Sequence, residues 1–147
     1  MINFKQKKLS KNEIFNYLIE NQDIFIPRLD TRLNIAEYAL KLHLYARHFC
    51  AFNNEKLVGL IACYYNDHLS RTGFISSVSV NKKYQGLGIM TNLLDLVIDY
   101  GKKNNFEKLK LEVRPENNSV TAIYKKVGFY EVTGSKSCVL MEIRLKK

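Results

Sequence analysis

One segment of the sequence limits the possible folds more than any other. Residues 84–106 read YQGLGIMTNLLDLVIDYGKKNNF, so two of the chain's seven glycines stand directly before a stretch that is apolar on one side. The apolar residues of this stretch recur at helical spacing: Met90, Leu93, Leu94, Val97 and Ile98. The spacing predicts an amphipathic helix, and the glycines predict a close turn at its N-terminus.

Alternating apolar and polar residues on either side of this helix are typical of β-strands. The stretches RHFCAF and KLVGLIACYY flank the turn NNE and predict a hairpin, and GFISSVSV predicts a third strand. After the helix, KLKLEVR and SCVLMEIRL alternate in the same way. The stretch INF near the start predicts one further short strand.

Three more segments predict helices. Ser10 and Glu13 form a capping-box pattern before a helix that Pro27 interrupts, and NIAEYALKLHLYA has helical spacing. The segment NNSVTAIYKKVGF predicts a short helix that ends at Gly128. The resulting order is strand, two helices, three strands, helix, strand, helix and one or two strands. This order predicts a mixed sheet with helices on both faces.

The composition is that of one globular domain. The chain has 147 residues, 46% of them hydrophobic and 25% charged, so we expect residues 1–147 to form a single domain. Cys50, Cys63 and Cys138 are far apart in apolar stretches, which predicts buried thiols rather than a disulfide framework or a metal site. Neither a run of about 18 apolar residues nor a secretion signal is present, so we expect a cytoplasmic protein with no membrane partner.

The net charge of +9 raises the local concentration of any polyanion. One alternative hypothesis is therefore a non-catalytic basic module that binds nucleic acid or another polyanion. The lysines occur in scattered pairs, such as Lys82 with Lys83 and Lys125 with Lys126, rather than in a block. This scatter disfavours a nucleic-acid-binding arm, and we expect no nucleic acid partner.

The glycine-rich turn has two interpretations. Gly86 and Gly88 precede a helix start, where unpaired backbone amides and the helix dipole can bind a phosphate. The same glycines can also serve only as a tight connection between strand and helix. A dinucleotide fingerprint would require glycine at Thr91, and the P-loop Gly-Lys-Ser/Thr is absent.

The stretch QGLGIM resembles the acyl-CoA pyrophosphate loop of the GNAT N-acetyltransferase superfamily, Gln/Arg-x-x-Gly-x-Gly/Ala. Gln85 and Gly88 match this pattern, whereas Met90 stands where a small residue is usual. The stretch NNSVTAIYKKVGF is similar to the family's helix Asn-x-x-Ala-x-x-x-Tyr-x-x-x-Gly-Phe. The matching residues are Asn117, Tyr124, Gly128 and Phe129, with Val120 in place of the alanine. The resemblance covers the chain from about Cys50 onward.

This resemblance implies a fold and a cofactor. The fold is α/β of the α+β type, a mostly antiparallel sheet of six to seven strands with about four helices on both faces. The co-substrate is acetyl-CoA, whose pyrophosphate would lie among the amides of residues 85–90 and whose pantetheine arm would pair with the backbone of SSVSV. The implied binding residues are Val78, Val80, Gln85, Gly86, Leu87, Gly88, Ile89, Met90, Asn117 and Tyr124.

The resemblance also implies a general acid. Tyr124 stands where the family has the tyrosine that protonates the coenzyme A sulfur, although helical spacing with Val120 and Val127 also fits a core aromatic. The stretch GFISSVSV has no carboxylate, so the general base stays open. The candidates are Glu112, Asp67 and His68, or a chain of water molecules.

The acceptor is the least constrained part. We expect the first two helices and the stretch YYNDHLSRT to line the acceptor pocket. The aromatic, hydrogen-bonding and charged groups of this stretch favour a small polar amine such as an amino sugar over a long peptide. Besides the basic module, a degenerate acyltransferase that binds CoA without transfer is an alternative. The sequence leaves the oligomeric state open, a homodimer included.

Overall fold

A seven-stranded sheet forms the centre of the computed structural model, which describes residues 1–145. The strand order is β1-β2-β3-β4-β5-β7-β6, and every neighbouring pair is antiparallel except β4 with β5. The strands are β1 (Ile2–Gln6), β2 (Arg47–Asn53), β3 (Lys56–Asp67), β4 (Thr72–Val80), β5 (Lys108–Val113), β6 (Tyr130–Gly134) and β7 (Val139–Arg144). The predicted mixed, mostly antiparallel sheet is thus confirmed.

Helices cover both faces of the sheet. One face carries α1 (Lys11–Glu20), α2 (Leu29–Arg32) and α3 (Ile35–Tyr45), and the other carries α4 (Ile89–Lys103) and α5 (Asn118–Val127). The predicted capping box at α1 is confirmed, because the Ser10 hydroxyl accepts from the Glu13 amide and the Glu13 carboxylate accepts from the Ser10 amide. The helix beyond those predicted, α2, is a single turn after Pro27.

Two apolar clusters lie on opposite sides of the sheet. Leu93, Leu94 and Val97 of α4 are fully buried in the larger one, which confirms the predicted face of this helix. Cys50 and Cys63 are also fully buried, and burial raises the pKa of the Cys50 thiol to about 12. Cys138 is half-buried, so the prediction of three buried thiols is wrong at this position, because Cys138 lies in the exposed connection from β6 to β7.

His48 joins three elements on the smaller cluster's side. Its Nδ1 accepts from the Leu9 amide at 2.9 Å, and its Nε2 donates to the Leu42 carbonyl at 2.8 Å. This arrangement requires a neutral ring, because protonation of Nδ1 would remove the acceptor for the Leu9 amide. Burial lowers the pKa of His48 below its ordinary value.

We therefore expect stability to fall in mild acid. Since burial depresses the folded-state pKa of His48, the unfolded chain takes up this proton first, from a pH of about 6.5 downward. The stabilisation is complete above that pH and is lost as the pH falls through the folded-state pKa, at a rate of up to about 1.4 kcal/mol per pH unit. Urea unfolding at pH 7.5 and pH 5.5 measures this loss.

The variant His48→Gln can keep both hydrogen bonds without titrating, so its stability should depend less on pH than that of the unmodified protein. The exposed His68→Gln variant is the matched control, because it removes an imidazole whose ring forms no hydrogen bond within residues 1–145. Equal pH dependence in the unmodified protein and in His48→Gln would refute the assignment.

Candidate active site

A cleft of about 450 Å³ opens where β4 and β5 separate. The two strands pair only through residues 72–75 and 108–111, so the second half of β4 has no partner on its β5 side. The cleft is lined by residues 75–80 of β4, the glycine-rich turn and residues 111–114. Residues 119, 120, 123 and 124 of α5 also line it, as does a group from the other face: Ile24, Phe25, Ile26, Leu29, Arg32 and Tyr38. Both sequence motifs therefore meet in one cleft.

The separated half of β4 exposes peptide groups to the cleft. In an antiparallel pair, residues that exchange hydrogen bonds alternate with residues that do not. The Asn81 amide donates to the Val58 carbonyl, so Ser79 and Ser77 bond to β3, whereas the peptide groups of Val78 and Val80 point away from it. A hydrogen bond from Gln85 supports this orientation, because its Nε2 donates to the Val80 carbonyl at 3.1 Å on the side away from β3.

Tyrosines of the helices hold this half of β4 in place. The Tyr17 hydroxyl of α1 lies 2.9 Å from the Ser79 Oγ, and the Tyr38 hydroxyl of α3 lies 2.6 Å from the Ser76 Oγ. A register shift opposite Ala62 and Cys63 leaves Ser76 without a partner on β3. Side chains from the helices thus stabilise a strand segment that lacks a neighbour on one edge.

The glycine-rich turn presents backbone amides to the cleft. Gly86 and Gly88 have φ values of +83° and +77°, a region that residues with a side chain rarely adopt. Gly88 is the N-cap of α4 without a side-chain cap, and Asn92 is the first residue whose amide bonds to a carbonyl of this helix start. The amides of Ile89 and Met90 therefore precede the hydrogen-bonded part of α4.

Two features of the turn bear on a phosphate ligand. A β-carbon on Gly86 would meet no atom within 4 Å, so space is open beside this backbone. Met90 is half-buried, and its side chain packs on the larger apolar cluster and lines the cleft. Leu87 is 64% exposed and is not among the residues that line the cleft, so any role for it would rest on its backbone.

Tyr124 lies on α5 and lines the cleft. Its ring is buried and meets the Phe129 ring edge-on, with 5.7 Å between the centroids. Burial is the cause that raises the pKa of its hydroxyl, and no hydrogen bond opposes this shift. The two interpretations of Tyr124 are therefore compatible, because one residue packs in the core and borders the cleft. Asn117 precedes α5, and its half-buried side chain also lines the cleft.

Glu112 is the one carboxylate among the described residues that line the cleft. It is exposed at the end of β5, on the face of the sheet that Lys110 shares and opposite to that of Leu111 and Val113. Ser77 lies across the gap, and its buried Oγ has no partner among residues 1–145. The cleft thus combines a carboxylate, hydroxyl groups and a protonated phenol.

The stretch YYNDHLSRT lies outside the cleft, so its predicted role as an acceptor site is wrong. β3 continues to Asp67 and β4 begins at Thr72, which places this loop at the opposite end of β4 from the cleft. Asp67 instead accepts from the Ser70 amide, and Arg71 forms an ion pair with Glu107 at 3.5 Å. Asp67 and His68 are accordingly no longer candidates for the general base.

Ile24, Phe25 and Ile26 form an apolar mouth on the helix side of the cleft, together with Leu29 and Tyr38. Tyr38 belongs to the second predicted helix, which was expected to line the pocket, whereas the segment between the two predicted helices was missed. The aperiodic apolar stretch IFIPRL could have marked this segment, because it is too apolar for an ordinary surface loop.

Other classes of site receive no support in residues 1–145. That part of the chain has no group of three or more His, Cys, Asp or Glu side chains placed to hold a metal ion. Its helices are also each too short or too polar to cross a lipid bilayer.

Comparison with known proteins identifies the family. The model of the acetyltransferase (GNAT) family matches residues 12–129. N-alpha-acetyltransferase 30 of Schizosaccharomyces pombe is 29% identical over 83 residues, which are 55% of this chain and 55% of that protein. The Xenopus laevis protein of the same name is 31% identical over 121 residues, 77% of this chain and 44% of its own. The chain thus spans about half the length of the curated relatives it matches.

Solved structures show the same fold. The crystal structure of the ribosomal-protein-S18-alanine N-acetyltransferase from Escherichia coli has a TM-score of 0.79 and 20% identity, and it covers 100% of this chain and 96% of its own. The enzyme class and the acetyl-CoA cofactor implied by the two motifs are those of the matched family. The motifs, the seven-stranded fold and the match over most of the chain agree: the chain belongs to the acetyltransferase (GNAT) family.

Proposed function

We propose that this protein transfers an acetyl group from acetyl-CoA to the α-amino group at the N-terminus of a polypeptide. The observation that supports this most is the continuous cleft between β4 and β5. It joins a turn of free amides at one mouth to an apolar mouth at the other, with Tyr124 and Glu112 also in its lining.

The chain's residues fit acetyl-CoA. The open space beside Gly86 and the unpaired amides of Ile89 and Met90 suit a pyrophosphate, which binds backbone amides at a helix start. The peptide groups of Val78 and Val80 can form hydrogen bonds with the amide groups of the pantetheine arm, as they would with a neighbouring strand. Acetyl-CoA supplies a thioester, an acetyl group activated toward amines. A backbone amide of β4 would polarise the acetyl carbonyl as a fixed dipole.

Tyr124 fits the role of general acid. A phenol with its ordinary pKa of about 10 is already protonated at neutral pH, and burial raises the pKa of Tyr124 further, so its hydroxyl can donate a hydrogen bond to a departing thiolate. A thiol has a pKa of about 8.5, so a proton donor of this kind is useful without being indispensable. The tyrosine therefore assists the leaving group rather than the attacking amine.

Glu112 fits the role of general base, and it favours an α-amino group as the acceptor. At pH 7, deprotonating a lysine amine with a pKa of about 10.4 costs about 4.6 kcal/mol. An α-amino group with a pKa of about 7.8 costs only about 1 kcal/mol. An exposed carboxylate that also reaches solvent suits the second, less demanding task.

The names of the relatives support the same acceptor. The proteins from Schizosaccharomyces pombe and Xenopus laevis are named N-alpha-acetyltransferases. The apolar mouth around Phe25 and Ile26, where Ile26 is 46% exposed, suits the first side chains of a peptide. The expectation of a small polar amine depends on YYNDHLSRT, which lies outside the cleft. An amino sugar therefore serves as the competing acceptor in the experiment that follows.

Acetylation of a panel of amines tests the proposed acceptor. We expect a peptide with a free N-terminus to be acetylated, and a peptide with a blocked N-terminus and one lysine to react at least about 10-fold more slowly. The rate should rise with pH through the α-amine pKa of about 7.7–8.0 and then level off. Free thiol release and mass spectrometry of the product measure both effects. Faster turnover of an amino sugar or of the blocked peptide would contradict the proposal.

Gly86→Ala tests the phosphate site. The added β-carbon would enter the open space beside the turn, and loss of a charge-assisted hydrogen bond costs about 1.5–3 kcal/mol. We expect the Kd for coenzyme A to rise by about 10-fold or more, measured by calorimetry. Asn54→Ala is the matched control, because Asn54 also has positive φ but lies in the hairpin turn between β2 and β3. Equal Kd values in both variants would remove the turn as a phosphate site.

Tyr124→Phe tests the general acid. Loss of a general acid lowers kcat by about 100-fold, at the lower end of the usual range because the thiolate is a fair leaving group. The Kd for acetyl-CoA should stay unchanged. Tyr100→Phe serves as the control, since Tyr100 is a half-buried tyrosine of the same apolar cluster that does not line the cleft. A Tyr124→Phe enzyme with the kcat of this control would exclude the role.

A further inference from the structure

An uncovered, basic part of the sheet lies beside the cleft. Alternation along the strands puts Lys108 and Lys110 of β5 on the same face as Glu112, and register puts Arg144 of β7 beside Lys108. Phe74 of β4 is in register with Lys110. We call this surface the basic face: Phe74, Lys108, Lys110, Glu142 and Arg144.

Helices α1 to α3 do not extend over the basic face. The apolar cluster beneath these helices contains sheet residues of β2 and β3, and none of β5, β6 or β7. Lys108 and Lys110 accordingly keep 41% and 33% of their side chains exposed, and Arg144 is exposed. A part of the sheet next to the cleft is therefore open to solvent.

The basic face carries more positive than negative charge. The Nζ atoms of Lys108 and Lys110 both lie 3.7 Å from one oxygen of Glu142, whose side chain is only 12% exposed. One carboxylate thus offsets two ammonium groups, and Arg144 has no carboxylate within ion-pair distance among residues 1–145.

Groups at the border of this face reduce the positive excess without removing it. Lys41 of α3 extends over the Tyr64 ring, 5.7 Å from its centroid, and Tyr64 is in register with Phe74. Asp67 is the carboxylate at the far end, and its oxygens accept from the Ser70 amide and hydroxyl. Glu112, at the cleft end of the same face, adds a third carboxylate. With these groups included, an excess of one positive charge remains, from Lys41, Lys108, Lys110 and Arg144 against Asp67, Glu112 and Glu142.

The basic face is continuous with the proposed acceptor site. A strand rises about 3.3 Å per residue, so Lys110 lies about 7 Å and Lys108 about 13 Å from Glu112 along β5. An extended peptide has nearly the same rise. If the N-terminal amino group of such a peptide lies at Glu112 and the peptide runs along β5 toward Lys108, its third residue is level with Lys110 and its fifth with Lys108.

We propose that the basic face binds the acceptor polypeptide downstream of its N-terminus and selects acidic side chains at about the third to fifth positions. This inference rests on the proposed function, because it takes the acceptor to be a polypeptide. The charge excess, the open face and its continuity with Glu112 together favour an acidic peptide segment as the occupant. Such contacts act on KM and are weakened by salt, since exposed charges are screened.

Matched peptides test the selection. Two peptides share their first two residues and carry either Asp or Asn at positions three and five. We expect the Asp peptide to have a kcat/KM about 10-fold higher at low salt, through KM, with kcat unchanged. The preference should fall to about threefold or less in 0.5 M salt. Equal kcat/KM values at low salt would overturn the proposal.

Charge-removing variants locate the effect. Lys110→Gln combined with Arg144→Gln leaves the Lys108–Glu142 pair in place, which keeps the buried carboxylate compensated. This variant should lose most of the preference for the Asp peptide while acetylating the Asn peptide as before. Lys102→Gln with Lys103→Gln removes the same charge from the exposed end of α4 and should keep the preference. If both variants lost the preference for the Asp peptide equally, the effect would be one of net charge, and the basic face would not be the binding site.

A binding measurement separates this proposal from the proposed function. An N-acetylated, fluorescent version of the Asp peptide cannot be a substrate, and it should still bind more tightly than the Asn version by fluorescence polarisation. Acetylation of the Asn peptide reports on the proposed function alone. A single-stranded RNA that binds more tightly than the Asp peptide, and that loses affinity in the Lys110→Gln/Arg144→Gln variant, would overturn the proposal in favour of nucleic acid.

Discussion

The separation of β4 from β5 is the constraint on which the rest of the site depends. The strands are parallel neighbours through residues 72–75 and 108–111, and beyond that point the peptide groups of β4 need other partners. On one edge β3 supplies them. The hydroxyls of Tyr17 and Tyr38, which bind Ser79 and Ser76, fix the segment from the helix side. The gap is therefore built into the packing of α1 and α3, which explains how a sheet can stay open at its centre.

The gap also determines which functional groups lie on each side of the cleft. Side chains alternate along β4, so Val78 faces the cluster of α4 and α5, whereas Ser77 and Ser79 face α1 to α3. β5 does the same with Val113 and Glu112. The cofactor motifs lie on the first side and the hydroxyls and carboxylate on the second. One alternation therefore separates the groups proposed to bind phosphate from those proposed to bind the amine and lets both reach the gap between the strands.

Local patterns could be predicted from the sequence, whereas long-range placement could not. The helix α4, the capping box at Ser10 and the two motifs depend on neighbours a few residues apart, and all of them were found. The stretch YYNDHLSRT was placed wrongly because nothing local shows that β3 continues to Asp67. The apolar mouth at Phe25 was missed, since its residues have no period and meet β4 only through the tertiary fold. The contacts that open the sheet join residues about 40 to 60 positions apart, beyond any local pattern.

The distribution of charge follows from the same architecture. A helix over β5 and β7 would have required apolar residues on both faces of these strands. The strand KLKLEV instead alternates strictly, with lysines and a glutamate on one side. Because that side stays open, its lysines and its arginine keep contact with water and remain available to a ligand. The alternation that the sequence displays as a strand pattern is thus also the reason why the cleft borders a basic surface and not a closed pocket.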